Sequence, residues 1–235
     1  PSAAVGVVIP VHNEEALLPR ALDFLGEALA GLPCGIRAQV AIILDDCSDL
    51  SEDIAWQWSR SHQAVIVTER AGNVGAARRS GCETILAGWS QVGYEAMWLA
   101  TTDADSQVPA DWLTAQLSAS HRGVDFWAGR VMVTDWSAHS EGTKGRWTAR
   151  YADERDPVHG ASLGFSASTY VRLGGFRPLQ TGEDRDLYRR AVSRRCRILH
   201  DTAAVVETSG RRHGRAPRGF ADALRTTVEN LAPTA

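Results

Sequence analysis

The sequence has almost no lysine. Of its 25 basic residues 24 are arginine, and the single lysine is Lys144. A GC-rich coding bias accounts for most of that excess, so only local arginine clusters carry meaning. Net charge is −3 and the isoelectric point is near 6.2. That excludes the global basic field of a nucleic-acid binder. Cysteines are few as well: Cys34, Cys47, Cys82 and Cys196 form no C-x-x-C pair and no zinc-spaced cluster. They read as free thiols in a reducing cytosol. No stretch approaches the ~18 apolar residues of a membrane span, and no leader pattern opens the sequence. Contact with a membrane surface is left open. What is present is ordinary: 44% hydrophobic and 23% charged residues over 235 positions, enough for one large core.

The pattern along the chain alternates strand and helix. Residues 5–11, V-G-V-V-I-P-V, form a buried strand. Helical spacing follows over about residues 14–30, with Leu17, Leu18, Ala21, Leu22 and Leu25 on one side. Further strands are expected at 39–44, 64–68, 97–101 and 124–134, and helices at 51–61 and 73–89. Pro109 suits the first turn of another helix. Residues 135–157 read as a long loop with one helix, 168–173 as a short helix stopped by Gly174-Gly175, and 183–195 as a helix. Short strands at 197–200 and 203–207, a basic segment at 210–219 and a helix at 220–231 complete the chain. Such alternation predicts one α/β domain with a Rossmann-like, mostly parallel sheet flanked by helices. Ligands then bind beyond the carboxyl ends of the strands.

Polar clusters fall at those ends. After the first strand come His12, Asn13 and Glu14, where a dinucleotide binder would carry G-x-G-x-x-G, so a nicotinamide cofactor is excluded. Polar groups there can read a nucleobase edge, although Asn13 or Glu14 can equally start the helix. After the second strand, Asp45 and Asp46 can accept from a base N–H or a ribose hydroxyl; Ser48 and Asp49 suit capping. Gly72-Asn73-Val74-Gly75 opens a helix with Arg78 one turn in, an arrangement suited to an anion. Asp103-Ala104-Asp105 ends the next strand and offers two carboxylates to one hard cation, Mg²⁺ or Mn²⁺. Glu183-Asp184 begins a helix and is a natural place for a general base, though the helix dipole alone favours acids there. Arg211, Arg212, His213, Arg215 and Arg218 form a basic tail suited to clamping a diphosphate, with His213 a candidate metal ligand.

Read in order, V-V-I-P-V-H-N-E-E, L-D-D-C-S-D, N-V-G-A-A-R-R-S-G, T-T-D-A-D-S, G-F-S-A with L-G-G-F, and G-E-D-R-D-L resemble the family 2 glycosyltransferases of GT-A fold. The run covers roughly residues 5–195. The resemblance implies a bacterial, inverting enzyme with a nucleotide-sugar donor and a divalent metal, Mn²⁺ or Mg²⁺. It places Pro10, His12 and Glu14 near the base and ribose, and Asp45 or Asp46 against the nucleotide, with Asp46 favoured. It further places Arg78 near the nucleotide, Asp103 and Asp105 on the metal and the donor phosphates, Asp184 as the base and Glu183 as its partner. His213 would complete the metal site, and Arg211 and Arg212 would meet the nucleotide sugar. Cys47 stands where the family usually has glycine, and Arg79 where it usually has asparagine.

The expected layout is a single GT-A domain over 1–235 with little besides. About residues 1–134 form the nucleotide-sugar half, and about 135–235 form a smaller mixed acceptor half with the basic tail. The donor is expected to be a UDP-sugar, with guanine the other candidate base. The acceptor is an unidentified hydroxyl on a glycan, a lipid-linked molecule or a small molecule. Trp136, Trp147 and His159-Gly160-Ala161 lie in the acceptor region. A cytoplasmic location follows by analogy, at most with contact at the membrane's inner face. Two competing classes are a sugar-phosphate nucleotidylyltransferase and a non-catalytic nucleotide-sugar or glycan-binding module. The first would carry a Gly-rich basic loop in place of H-N-E-E, and the second has no need of both D-x-D and E-D.

Overall fold

Strand β1 (Ala4–Val11) is apolar on both sides because both faces of its sheet are covered. A computed structural model describes residues 3–152 and 156–211. In it β1 lies between β2 (Arg37–Asp45) and β4 (Met97–Thr101), parallel to both, and β3 (Ala64–Glu69) runs parallel to β2. Beyond β4 the sheet becomes mixed. The full order is β3-β2-β1-β4-β7-β6-β8-β5, with β5 at Ser106–Gln107, β6 at Phe126–Val133, β7 at Leu163–Ser166 and β8 at Ile198–Thr208. β7 is antiparallel to β4 and β6, β6 and β8 are parallel, and β5 is antiparallel to β8. This is a single α/β domain with a mostly parallel, curled mixed sheet.

Helices α1 (Leu18–Ala30), α2 (Ser51–Ser59) and α4 (Trp112–His121) pack on one face. Leu18, Leu22, Leu25 and Ala28 of α1 meet Val5, Val7, Ile9 and Val11, all essentially inaccessible to water. Each such leucine, isoleucine or valine contributes about 1.5–3 kcal/mol by its burial. Helices α3 (Val74–Gly88), α6 (Ala167–Leu173) and α7 (Glu183–Ser193) cover the other face around Val8, Ile43, Phe126 and Phe165. Helix α3 comes close because glycine stands at both contacts. A Cβ at Gly6 would lie 2.8 Å from Ile85 Cδ1, and one at Gly81 would strike Val8. Helix α5 (Glu141–Ala152) lies in the stretch expected to be mostly loop.

Several expectations are corrected. The first helix begins at Leu18, since residues 14–17 form a turn in which the Leu17 and Leu18 amides donate to the Glu14 carbonyl at 3.0 and 2.8 Å. Pro109 precedes α4 rather than opening it; its carbonyl accepts from the Trp112 amide. Residues 163–166 form β7, a strand hidden by its glycine and serine. The two short strands expected near the end are one, β8, irregular against β6 between Gly129 and Val131. The expected terminal helix at 220–231 and most of the basic segment lie outside the described residues.

β7 needs its glycine. The buried Trp98 Nε1 donates to Gln116 Oε1 at 2.8 Å across the sheet, and a Cβ at Gly164 would reach 2.7 Å from Trp98 Nε1 and strike Gln116. Gly164→Ala is therefore expected to break this buried hydrogen bond and cost about 1–3 kcal/mol. Urea unfolding should show a lower midpoint at unchanged slope.

Candidate functional site

The ends of β1, β2 and β4 bring residues 12–14, 45–49 and 103–105 to one edge of the sheet. Polar side chains lace the loops together. Asn13 Oδ1 accepts from the Ser48 amide at 2.7 Å, Asp49 Oδ2 from the Glu15 amide at 2.9 Å, Glu15 Oε2 from the Leu50 amide at 3.0 Å and Ser51 Oγ from the Glu14 amide at 2.8 Å. Asn13 and Asp46 sit at φ 55° and 53°, a left-handed backbone that short polar residues tolerate best. Pro10 lies half-buried at the end of β1, and His12 Nδ1 donates to the Asp45 carbonyl at 2.7 Å.

The adjacent aspartates divide. Asp45 is buried, and its carboxylate accepts from the amides of Ala71, Gly72 and Asn73 at 2.7, 2.9 and 2.8 Å. It therefore fixes the loop that leads to α3, where Asn73 Oδ1 caps the helix through the Ala76 amide. Asp46 is exposed on the same edge. Asp45→Asn should cost about 1.5–3 kcal/mol through the lost charge-assisted bonds. Hydrogen exchange would then accelerate at the amides of residues 71–73, while the rest of α3 keeps its protection.

Arg78, deep in α3, is 3% exposed and pairs through Nη1 with Glu183 and through Nη2 with Asp103. Burial opposes its charge, but Asp103, Glu183 and Asp184 outweigh that and hold the proton more tightly than usual. Its guanidinium thus faces acids from two elements, β4's end and α7's start. Gly182, at φ 75°, turns the chain into α7 so that Glu183, Asp184 and Asp186 fall in its first turn, where the helix dipole favours them. Asp184 Oδ2 accepts from the Gly160 amide at 2.9 Å and Oδ1 from the Arg185 amide at 2.6 Å.

On the other side, Arg211 forks onto Glu14 at 2.8 and 2.6 Å and reaches Asp105 Oδ2 at 2.9 Å. Burial pushes the Asp105 carboxyl up to about 6; Arg211 opposes the rise and Asp103 and Glu14 add to it. Five carboxylates, on Glu14, Asp103, Asp105, Glu183 and Asp184, thus share two guanidiniums on this edge. Their hard oxygens are the kind of donor that a divalent cation such as Mg²⁺ or Mn²⁺ takes. Among the described residues no group of three or more His, Cys, Asp or Glu is arranged to hold one. His213 and Arg212 lie outside the described residues.

Towards α5, Trp147 stacks on Tyr151 at 6.0 Å between centroids, Arg130 lies over the Tyr151 ring at 5.0 Å, and His159 is 5.5 Å from it. Burial, with Arg185 and Arg130 nearby, lowers the His159 imidazole to about 4. Trp136 packs apart from these rings, its Nε1 donating to the Val133 carbonyl and its ring edge-on to His139. Sequence reasoning did not single out Thr101 or Ser51, nor did it foresee the partners of Arg78 and Arg211. The Glu14–Arg211 pair joins residues 197 positions apart and leaves no local signal.

A family model described as "Glycosyl transferase family 2" matches residues 6–171. The chain belongs to this family. Solved structures share the fold. A fragment of S. aureus TarS, residues 1–349, in complex with UDP-GlcNAc has a TM-score of 0.66 at 12% identity, covering 90% of this chain and 60% of that one. The mannosyltransferase PcManGT from Pyrobaculum calidifontis, in complex with GDP-Man and Mn²⁺, has a TM-score of 0.64 at 18% identity, covering 90% and 58%. The chain thus spans about 60% of the length of these two solved chains, and 36% of a longer solved TarS chain. No curated protein matches it. Within the family 2 fold, D-x-D and E-D come from opposite halves of the sequence, and Arg78 joins them.

That junction has a pH signature. Burial raises the Glu183 carboxyl from 4.5 to about 7, with Arg78 pulling it down and Asp184 and Asp103 pushing it up. Between those values the folded protein holds a proton that the unfolded chain has released, so stability falls as pH rises through the window. The unfolding free energy of the wild type relative to Glu183→Gln should decline from pH 4.5 to 7, read from denaturant titrations in EDTA.

Proposed function

We propose that the chain transfers a sugar from a nucleotide-diphosphate sugar to an acceptor hydroxyl, with inversion at the anomeric carbon. The observation behind this reading is the acid edge itself. Asp103, just past the end of β4, faces Glu183 at the start of α7 through one buried arginine, with Asp105 and Asp184 close to them in the sequence. One acidic pair serves the donor diphosphate and the other the acceptor, at a distance fixed by Arg78. The bound nucleotide sugars in TarS and PcManGT support a donor of this class, and a UDP-sugar is the donor we favour.

Residues up to about 134 supply the donor side, and those from about 135 onward the acceptor side and basic tail. Pro10, His12 and Asp46 contact base and ribose, while Asp45 acts through the loop it holds. Asp103 and Asp105 would hold the divalent metal, Mn²⁺ or Mg²⁺, with His213 as a further ligand, and the metal would supply positive charge against the leaving diphosphate. Arg211, bound to Glu14 and Asp105, lies where it can turn onto the diphosphate, and Arg212 adds to that clamp. Asp184 takes the proton from the acceptor hydroxyl as the anomeric carbon is attacked. Its Oδ2 and Oδ1 each accept one amide bond, which orients the carboxylate and leaves lone pairs for the hydroxyl. Glu183 holds Arg78 in place and so sets where Asp184 points. Among the described residues no helix is long and apolar enough to cross a membrane. The cytoplasm is the compartment we propose.

The test is a panel of UDP-sugars and GDP-mannose with Mn²⁺ or Mg²⁺, following nucleoside diphosphate release. At least one donor should turn over, EDTA should abolish the rate, and the product should carry the inverted anomeric configuration by NMR. Asp184→Asn should lower kcat by about 10²–10⁴ with donor affinity unchanged. Undiminished turnover in that variant would remove Asp184 from its role. Pyrophosphate release from a nucleoside triphosphate would point to a nucleotidylyltransferase instead.

A further inference from the structure

We infer that Gly160 is a positioning residue for Asp184, held in register by the hydroxyl of Thr101. Thr101 is the last residue of β4, two positions before Asp103, and is fully buried. Its Oγ1 donates to the Gly160 carbonyl at 2.6 Å. The Gly160 amide donates in turn to Asp184 Oδ2 at 2.9 Å. Residue 160 is therefore pinned on one side to the strand that ends in D-x-D and on the other to the carboxylate on α7.

A second observation on the same residue is independent of those bonds. A Cβ at position 160 would lie 2.6 Å from Arg78 Nη1 and closer still to the rest of that guanidinium. The guanidinium cannot swing aside, because Asp103 and Glu183 hold it from both ends and it is buried. Gly160 sits in a short 3₁₀ turn, Gly160–Ser162, and its φ is not among the positive ones. Space and not backbone freedom thus demands glycine here.

The two links run in parallel. Arg78 joins Asp103 to Glu183 through side chains, and Thr101–Gly160 joins the same strand end to Asp184 through a backbone residue. Any shift of the strand end under a bound donor is passed to the base through residue 160. A carboxylate misplaced by about 1 Å can lose on the order of 100-fold in rate.

This role rests on the proposed glycosyl transfer, and the experiment separates the two. Thr101→Val keeps the shape but removes the donor, whereas Thr101→Ser keeps the donor. We expect Thr101→Val to lower kcat by about 10- to 100-fold with donor KM unchanged, and Thr101→Ser to restore the rate to within about twofold. Gly160→Ala should lower kcat at least as far. Amide hydrogen exchange at Gly160 should accelerate in both Thr101→Val and Asp184→Ala, which reads the geometry without turnover. Wild-type kcat in Thr101→Val, or unchanged Gly160 exchange in both variants, would overturn the positioning role. A wild-type protein with no turnover on any donor would instead overturn the reading of function on which that role rests.

Discussion

A single buried guanidinium organises this molecule's chemistry. Arg78 is out of reach of water, and a charge so placed is tolerable only when paired. Its partners, Asp103 and Glu183, lie just past the end of β4 and at the start of α7, elements far apart in the sequence. Removing one acid leaves the guanidinium with a single partner, and removing the arginine leaves Glu183 buried without its counter-charge. The pair is thus less a source of stability than a constraint on geometry: α7 must begin where the guanidinium can reach it, and Gly160 must lack a side chain so that the guanidinium has room.

The electrostatics of the edge follow from the same constraint. Burial raises the carboxyls of Asp105 and Glu183 against the pull of their arginines, and neighbouring acids on the edge add to the rise. Arg211 closes the other end by forking onto Glu14 while touching Asp105. The arginine-rich composition gains a local meaning here. A planar fork holds two carboxylates in fixed directions, whereas lysine's ammonium sits on a flexible stem and sets no such geometry.

Much of this was legible in the sequence, and the divide between what was and was not has a physical basis. Strands β1, β2 and β4 announce themselves because both faces are buried and the runs are continuously apolar. Polar clusters at their ends follow from sheet topology alone. β7 was hidden because its glycine is required by the Trp98–Gln116 bond, a contact between distant segments. Likewise, Arg78 stands out in the sequence by its place one turn into a helix, but its partners lie 25 and 105 residues away, beyond any local pattern. The start of α1 was misplaced because the apolar spacing continues into a turn.

The adjacent aspartates show how much a one-residue distinction depends on backbone. In an extended strand, neighbouring side chains point to opposite sides. Asp45 is the last residue of β2, and its side chain meets the loop after β3, whose three consecutive amides have no partner within a helix or sheet ladder. Asp46 follows the strand and takes a left-handed turn, which leaves it exposed on the edge. One carboxylate thereby satisfies the backbone of a loop, and its neighbour faces solvent. The sequence shows two equivalent acids; the strand's end makes them different. Glu183 and Asp184 diverge in the same way at the start of a helix, one directed inward to Arg78 and the other to the Gly160 amide, so adjacent acids again serve different partners.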